Sequence, residues 1–150
     1  MSFVYTPEKE RHALSSHPSF AEASSDIRAM LCMTNTTADT DQDAATLSAI
    51  TTLDEYSGSG YARASLAAQT ITRDDANNRA ELSATSPISF GSTVAAAIRS
   101  AAGILLYRHI DGTAANDQPI AWIDTGGFPV NGAGGPFTWT PNAEGILQWT

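Results

Sequence analysis

The last third of the chain alternates short apolar runs with turn-rich stretches, and no other feature limits the possible folds as much. Ile104 to Ile110 and Pro119 to Asp124 flank a polar loop from Asp111 to Gln118. Phe137 to Thr140 and Ile146 to Thr150 then flank Pro141-Asn142-Ala143-Glu144-Gly145. Runs rich in β-branched and aromatic residues, bounded by Gly, Pro, Asn and Asp, read as strands. Two successive β-hairpins are therefore expected.

Upstream, Ile27 to Met33 is the first convincing strand, and Ser65 to Arg73, Arg79 to Ala84 and Pro87 to Phe90 read as further strands. Asp74-Asp75-Ala76-Asn77-Asn78 is a turn by composition, because Asp and Asn bond their own backbone and tolerate left-handed φ. Thr46 to Leu53 places Leu47, Ile50 and Leu53 on one side of a short helix. In Thr93 to Arg99, Val94 and Ile98 suit a helix while the surroundings favour a strand. Short strands with regular turn signals predict a mainly β fold, an antiparallel β-sandwich or barrel with one short helix. Met1 to Ser25 keeps neither the helix nor the strand period, so it is expected to be an extended N-terminal arm. A single β-domain from Asp26 to Thr150 would follow it. The arm's Phe3, Tyr5 and Phe20, with Arg11 and Arg28 as charge partners, are the candidate contacts for a binding partner.

A chain of 150 residues fits one domain with a core that needs no disulfide. The formal charge is −8 and Lys9 is the only lysine, so nucleic acid phosphates should repel it. No run approaches the ~18 apolar residues of a membrane-spanning helix, and no basic-then-apolar leader opens the sequence. A soluble protein made without export is the expectation.

Residues with possible chemistry fall short of a site. Asp39, Asp41 and Asp43 alternate like the first ligands of a calcium loop, but Ala44 and Ile50 stand where that loop needs Gly and Glu. A solvated acidic loop is expected. Gly58-Ser59-Gly60 is a plain turn, lacking both the nucleophile elbow and the phosphate-loop lysine. Cys32, between Leu31 and Met33, reads as a small buried hydrophobe. His12 and His17 lack further zinc ligands, and of Arg108 and His109 one should face solvent by strand alternation. Trp122, Trp139 and Trp149 are assigned to core or interface rather than to sugar stacking. No catalytic, cofactor or metal residue is assigned, and the expectation is a protein that is not an enzyme.

An ordered series of segments carries a resemblance. It runs from Leu53-Asp54-Glu55-Tyr56-Ser57-Gly58-Ser59-Gly60-Tyr61-Ala62-Arg63 through Asp74 to Glu81 and Ile88-Ser89-Phe90. Gly103 to Arg108, Asp111 to Asp117, Pro119 to Asp124 and Ala143 to Leu147 continue it. From Ile27 to Thr150 the chain resembles small virion structural proteins of tailed bacteriophages. The resemblance implies a head decoration or cement protein on the capsid surface, made in the host cytoplasm. Its partners would be the major capsid protein and copies of itself. Tail or head–tail connector components are an alternative. So are a carbohydrate-binding spike module using Tyr61, Trp122 or Trp139, and a hydrolase in which His109 meets a carboxylate and a hydroxyl in a pocket.

Overall fold

The computed structural model describes residues 1–14, 26–67, 69–84, 87–142 and 145–149. At its centre lie β2 (Ile27–Met33), β7 (Ala101–Arg108) and β8 (Gln118–Ile123), the most apolar segments of the chain. Antiparallel pairing sets β7 between the other two, from Ile27 opposite Arg108 and from Leu105 opposite Trp122. Their burial is nearly continuous rather than alternating, as expected of strands covered on both faces. β1 (Phe3–Val4) adds beyond β8 and β3 (Ala64–Ser65) beyond β2, which completes a five-stranded sheet.

Two smaller antiparallel sheets complete the strands. One is β10 (Leu147–Trp149), β5 (Arg79–Ala84) and β4 (Gln69–Asp74), in that order, and the other pairs β6 (Ile88–Ser89) with β9 (Thr138–Trp139). Leu82, Ile88, Trp139 and Leu147 from these sheets join Ile27, Leu31, Ile104, Leu106 and Ile123 in one core. On the opposite face Met30, Cys32, Leu105, Tyr107 and Trp122 pack with Tyr5, Ala38, Ala44, Leu47 and Ile50. Among the described residues the architecture is mainly β, antiparallel and sandwich-like, with one short α-helix, α1 (Thr6–Ala13). One face of the main sheet is roofed by strands, and the other by the N-terminal segment and the 34–53 loop.

The central sheet tolerates no side chain at residue 103. A Cβ on Gly103 would lie 2.5 Å from Trp122 Cζ2 and 2.6 Å from the Ile123 carbonyl, both inside van der Waals contact. The Trp122 ring edge can close on β7 only because that position is bare.

Several expectations are corrected. The Ile104–Asp124 region forms the expected hairpin, but the second hairpin does not exist as such. β9 pairs with β6 and β10 with β5, although Gly145 N–H still closes a tight turn onto the Asn142 carbonyl at 3.0 Å. Strand alternation marks a half-buried strand without naming its partner, and here upstream strands win both pairings. Residues 1–14 are not an irregular arm but part of the domain, with Phe3 opposite Trp122 and Tyr5 fully buried. Pro7 lies in the first turn of α1, where its missing N–H is no loss. The helix lacks an apolar stripe and is instead anchored through Glu8, which is buried beside Arg11 (3.0 Å), His12 (3.3 Å) and Arg108 (3.8 Å). Phe20 and the rest of 15–25 lie outside the described residues.

The helix expected over Thr46 to Leu53 shrinks to a 3-10 turn, Leu47–Ala49. Its Leu47 and Ser48 N–H groups bond the Asp117 and Ala114 carbonyls of the β7–β8 loop instead of a following helical turn. The strand expected over Ser65 to Arg73 splits, β3 joining the large sheet and β4 a small one. The 93–99 stretch takes no regular element.

Candidate functional site

Two loops, 92–100 and 125–137, are tied into one platform by residues far apart in sequence. Val94 N–H bonds the Gly135 carbonyl at 2.8 Å, and Gly134 N–H returns to the Val94 carbonyl at 2.9 Å. Ala101 and Val130 exchange backbone bonds of 2.7 and 3.0 Å. Between the loops stands the buried Tyr56 ring, whose hydroxyl accepts the N–H groups of Ala97 (3.1 Å) and Gly132 (2.8 Å) and contacts Asn131 Oδ1. Asn131 completes the knot by donating to the Ala97 carbonyl at 3.1 Å and accepting Ala97 N–H at 3.0 Å. A Cβ on Gly132 would come within 2.5 Å of both the Val94 and Ala95 carbonyls, so the loops touch backbone to backbone.

This scaffold displays apolar residues outward. Ile98 is 81% exposed and Val130 36% exposed, each on a loop whose backbone is bonded on both sides. A cleft of ≈350 Å³ runs alongside, lined by Gly126, Phe128, Val130, Pro136, Phe137 and Trp139 among others. Loops fixed by a rigid scaffold are where binding residues concentrate. Sequence reading missed this platform. Its advance signals were the Gly-rich run after Thr125 and the ambiguous helix-or-strand stretch holding Ile98.

The candidate contacts read from the sequence do not converge. Phe3 is half-buried with its ring centroid 5.2 Å from that of Tyr5, and the Tyr5 hydroxyl donates to the Ala38 carbonyl at 2.6 Å. Arg11 is engaged with Glu8 and with the Ala45 carbonyl (3.3 Å), and Arg28 with Asp26 at 2.8 Å. These side chains are engaged within the fold itself.

The groups with possible chemistry are likewise tied into structure. Burial, then the nearby Glu55 carboxylate, push the Cys32 thiol well up, away from a reactive thiolate. Glu55 grips Arg63 through two bonds of 2.8 Å and accepts the Tyr61 hydroxyl at 3.0 Å, while Arg63 also reaches the Tyr107 hydroxyl at 3.2 Å. His109 Nδ1 lies 3.2 Å from the buried Asp117, whose other oxygen accepts Ile110 N–H at 2.8 Å. Among the described residues no Ser or Thr hydroxyl bonds that ring. The alternation expected of Arg108 and His109 is also corrected, since Arg108 turns inward to Glu8 and His109 is half-buried. Trp122 and Trp139 are buried, so neither offers an exposed ring for a sugar. Among the described residues no three His, Cys, Asp or Glu side chains gather as a metal site, and no helix is long and apolar enough to cross a membrane.

The acidic loop has a structural part to play. Asp41 Oδ2 accepts Thr51 N–H and the Thr37 hydroxyl, each at 2.7 Å, and these bonds hold its carboxyl below the usual range. A carboxyl whose pKa is lower folded than unfolded stabilises the protein above its unfolded value of ~3.9, and that contribution drains away as pH falls through the folded value. Thermal melts between pH 7 and pH 3 should therefore show an acid limb that Asp41→Asn flattens. Identical acid limbs in the two proteins would count against this role.

Comparison with known proteins found no matching family model, no matching curated protein and no matching solved structure.

Proposed function

We propose that the chain is a virion structural protein of the tailed-phage kind, a head decoration protein that docks on a shell of major capsid protein. The observation that carries this reading is the locked loop platform with Ile98 held out at 81% exposure. A decoration protein binds a solid, repetitive surface, so it gains from contact groups that need no ordering on arrival. Repetition then multiplies a modest contact into strong retention. The net charge of −8 keeps such a protein away from packaged nucleic acid and favours the outer surface. The contact surface moves from the N-terminal segment, whose Tyr5 is interior, to the 92–100 and 125–137 loops.

The test has two parts. Mass spectrometry of particles made by the phage that encodes the chain should count it in hundreds of copies. A dozen copies or fewer would point to a connector or baseplate, and none would end the virion reading. Binding to empty shells should then fall at least tenfold for Ile98→Asp combined with Val130→Asp. Both sites are exposed, so their melting temperature should stay close to the parent's. Undiminished binding by that folded variant would move the contact elsewhere.

A further inference from the structure

The strand β4 is exposed along Thr70, Ile71, Thr72 and Arg73 and forms the outer edge of its sheet. The backbone groups it presents there follow from the neighbouring strands. Leu82 of β5 gives its carbonyl to Ile146 N–H at 2.7 Å, on the β10 side. In an antiparallel strand the N–H and C=O of one residue point the same way, so Leu82 turns both groups away from β4. Ile71 is its cross-strand partner, and the Ile71–Leu82 pair is therefore of the non-bonded kind. Ile71, and by the two-residue period Gln69 and Arg73, direct their N–H and C=O groups outward.

We propose that a second copy of this chain pairs on that edge, β4 antiparallel to β4 about a two-fold axis through Ile71. In this register Ile71 faces Ile71 of the other copy, Gln69 faces Arg73, and Thr70 faces Thr72. Every opposition is favourable or neutral: apolar on apolar, amide on guanidinium, and hydroxyl on hydroxyl. Moving the axis to Thr72 would set Ile71 against Arg73, and moving it to Arg73 would oppose two guanidinium groups. Shifts by one residue are excluded, because they would bring outward groups against inward ones. Ile71 also shares a face with the fully buried Leu82 while remaining 42% exposed, so pairing extends an existing core across the axis. Two three-stranded sheets become one of six strands, and an open edge that otherwise invites irregular association is closed.

This inference concerns the free protein and does not depend on the virion reading. Sedimentation equilibrium of the purified full chain should show a concentration-dependent dimer by about 0.1 mM, within the range of small transient interfaces. Ile71→Lys places like charges across the axis and should raise the dissociation constant at least tenfold without altering the far-UV circular dichroism. Ile71→Cys should form an intermolecular disulfide with oxidised glutathione, because bonded antiparallel pairs hold Cα atoms about 5.5 Å apart, within disulfide reach. Thr70→Cys, which is off the axis, should cross-link far more slowly. A chain that stays monomeric at ~0.5 mM overturns the proposal. So does a dimer that ignores Ile71→Lys and does not cross-link through position 71.

Discussion

Replacing Trp122 by alanine should cost about 3–5 kcal/mol of folding stability, as for other large aromatic-to-alanine changes in a core. The side chain is 1% exposed and sits where β1, β8 and β7 meet, with Phe3 and Leu105 as cross-strand neighbours. Its ring edge lies over Gly103, so the void left behind opens onto bare backbone that cannot fill it. Urea and thermal melts should both register the loss, with a fall in melting temperature of about 10 °C or more for a domain of this size. Trp122→Phe should cost far less, because the indole Nε1 has no acceptor among the described residues and its removal forfeits no bond. A loss below ~1 kcal/mol for the alanine variant would mean that this face of the sheet is not the core described above.

The second large effect is expected at Glu8. Its carboxylate is buried in α1 beside Arg11, His12 and Arg108, and the Arg108 side chain is itself buried at the end of β7. Burial lowers the pKa of the Arg108 guanidinium, and Glu8 acts to raise it again. Glu8→Ala removes that compensation and should destabilise the fold by about 3 kcal/mol, the usual scale for breaking a buried ion pair. Pairing Glu8→Leu with Arg108→Met should recover part of the loss, since it removes both buried charges of this pair while Arg11 and His12 lie nearer the surface. Additive losses in that double-mutant cycle would show that the two side chains do not act as a unit. Hydrogen exchange offers a second reading: the Tyr5 N–H, bonded to the Ile120 carbonyl at 2.9 Å, should exchange early in Glu8→Ala.

The contrast between these two residues also explains what could be read in advance. Ile27 to Met33 and Ile104 to Tyr107 announced themselves because strands buried on both faces are continuous apolar runs. The Asp74 turn was legible because its chemistry is local, with Asp74 Oδ1 accepting the N–H groups of Ala76 and Asn77 at 3.1 and 3.2 Å. Helix α1 was not legible, because it docks through one buried carboxylate rather than an apolar stripe, and hydrophobic periodicity cannot register a charge. The pairings of β9 and β10 were hidden for a different reason. Thr138-Trp139 and Leu147-Gln148-Trp149 look the same whether they face each other or face β6 and β5. The loop platform depends on Tyr56 meeting Asn131, 75 positions away, and neither residue type signals such a meeting. Ile98 lay in a stretch that suited a helix while its surroundings favoured a strand, and neither pattern signals that its side chain ends up exposed.

The two roofs of the central sheet come from different parts of the chain, and this sets an order of events during folding. The 34–53 loop and Tyr5 precede much of the surface they cover, which joins Met30 and Cys32 of β2 to Leu105, Tyr107 and Trp122 of β7 and β8, far later in the chain. Phe3 must wait for Trp122, and Ile27 for Arg108. Until the β7–β8 hairpin is available, β2 is paired only on its β3 side and lacks a partner on the other edge, and neither layer can close. Such distant pairings make loop closure the dominant cost of reaching the transition state, which places folding in the millisecond-to-second range typical of β-sandwiches. The β7-facing edge of Ile27–Met33 then stays unpaired until that hairpin forms, and its arrival commits both faces at once.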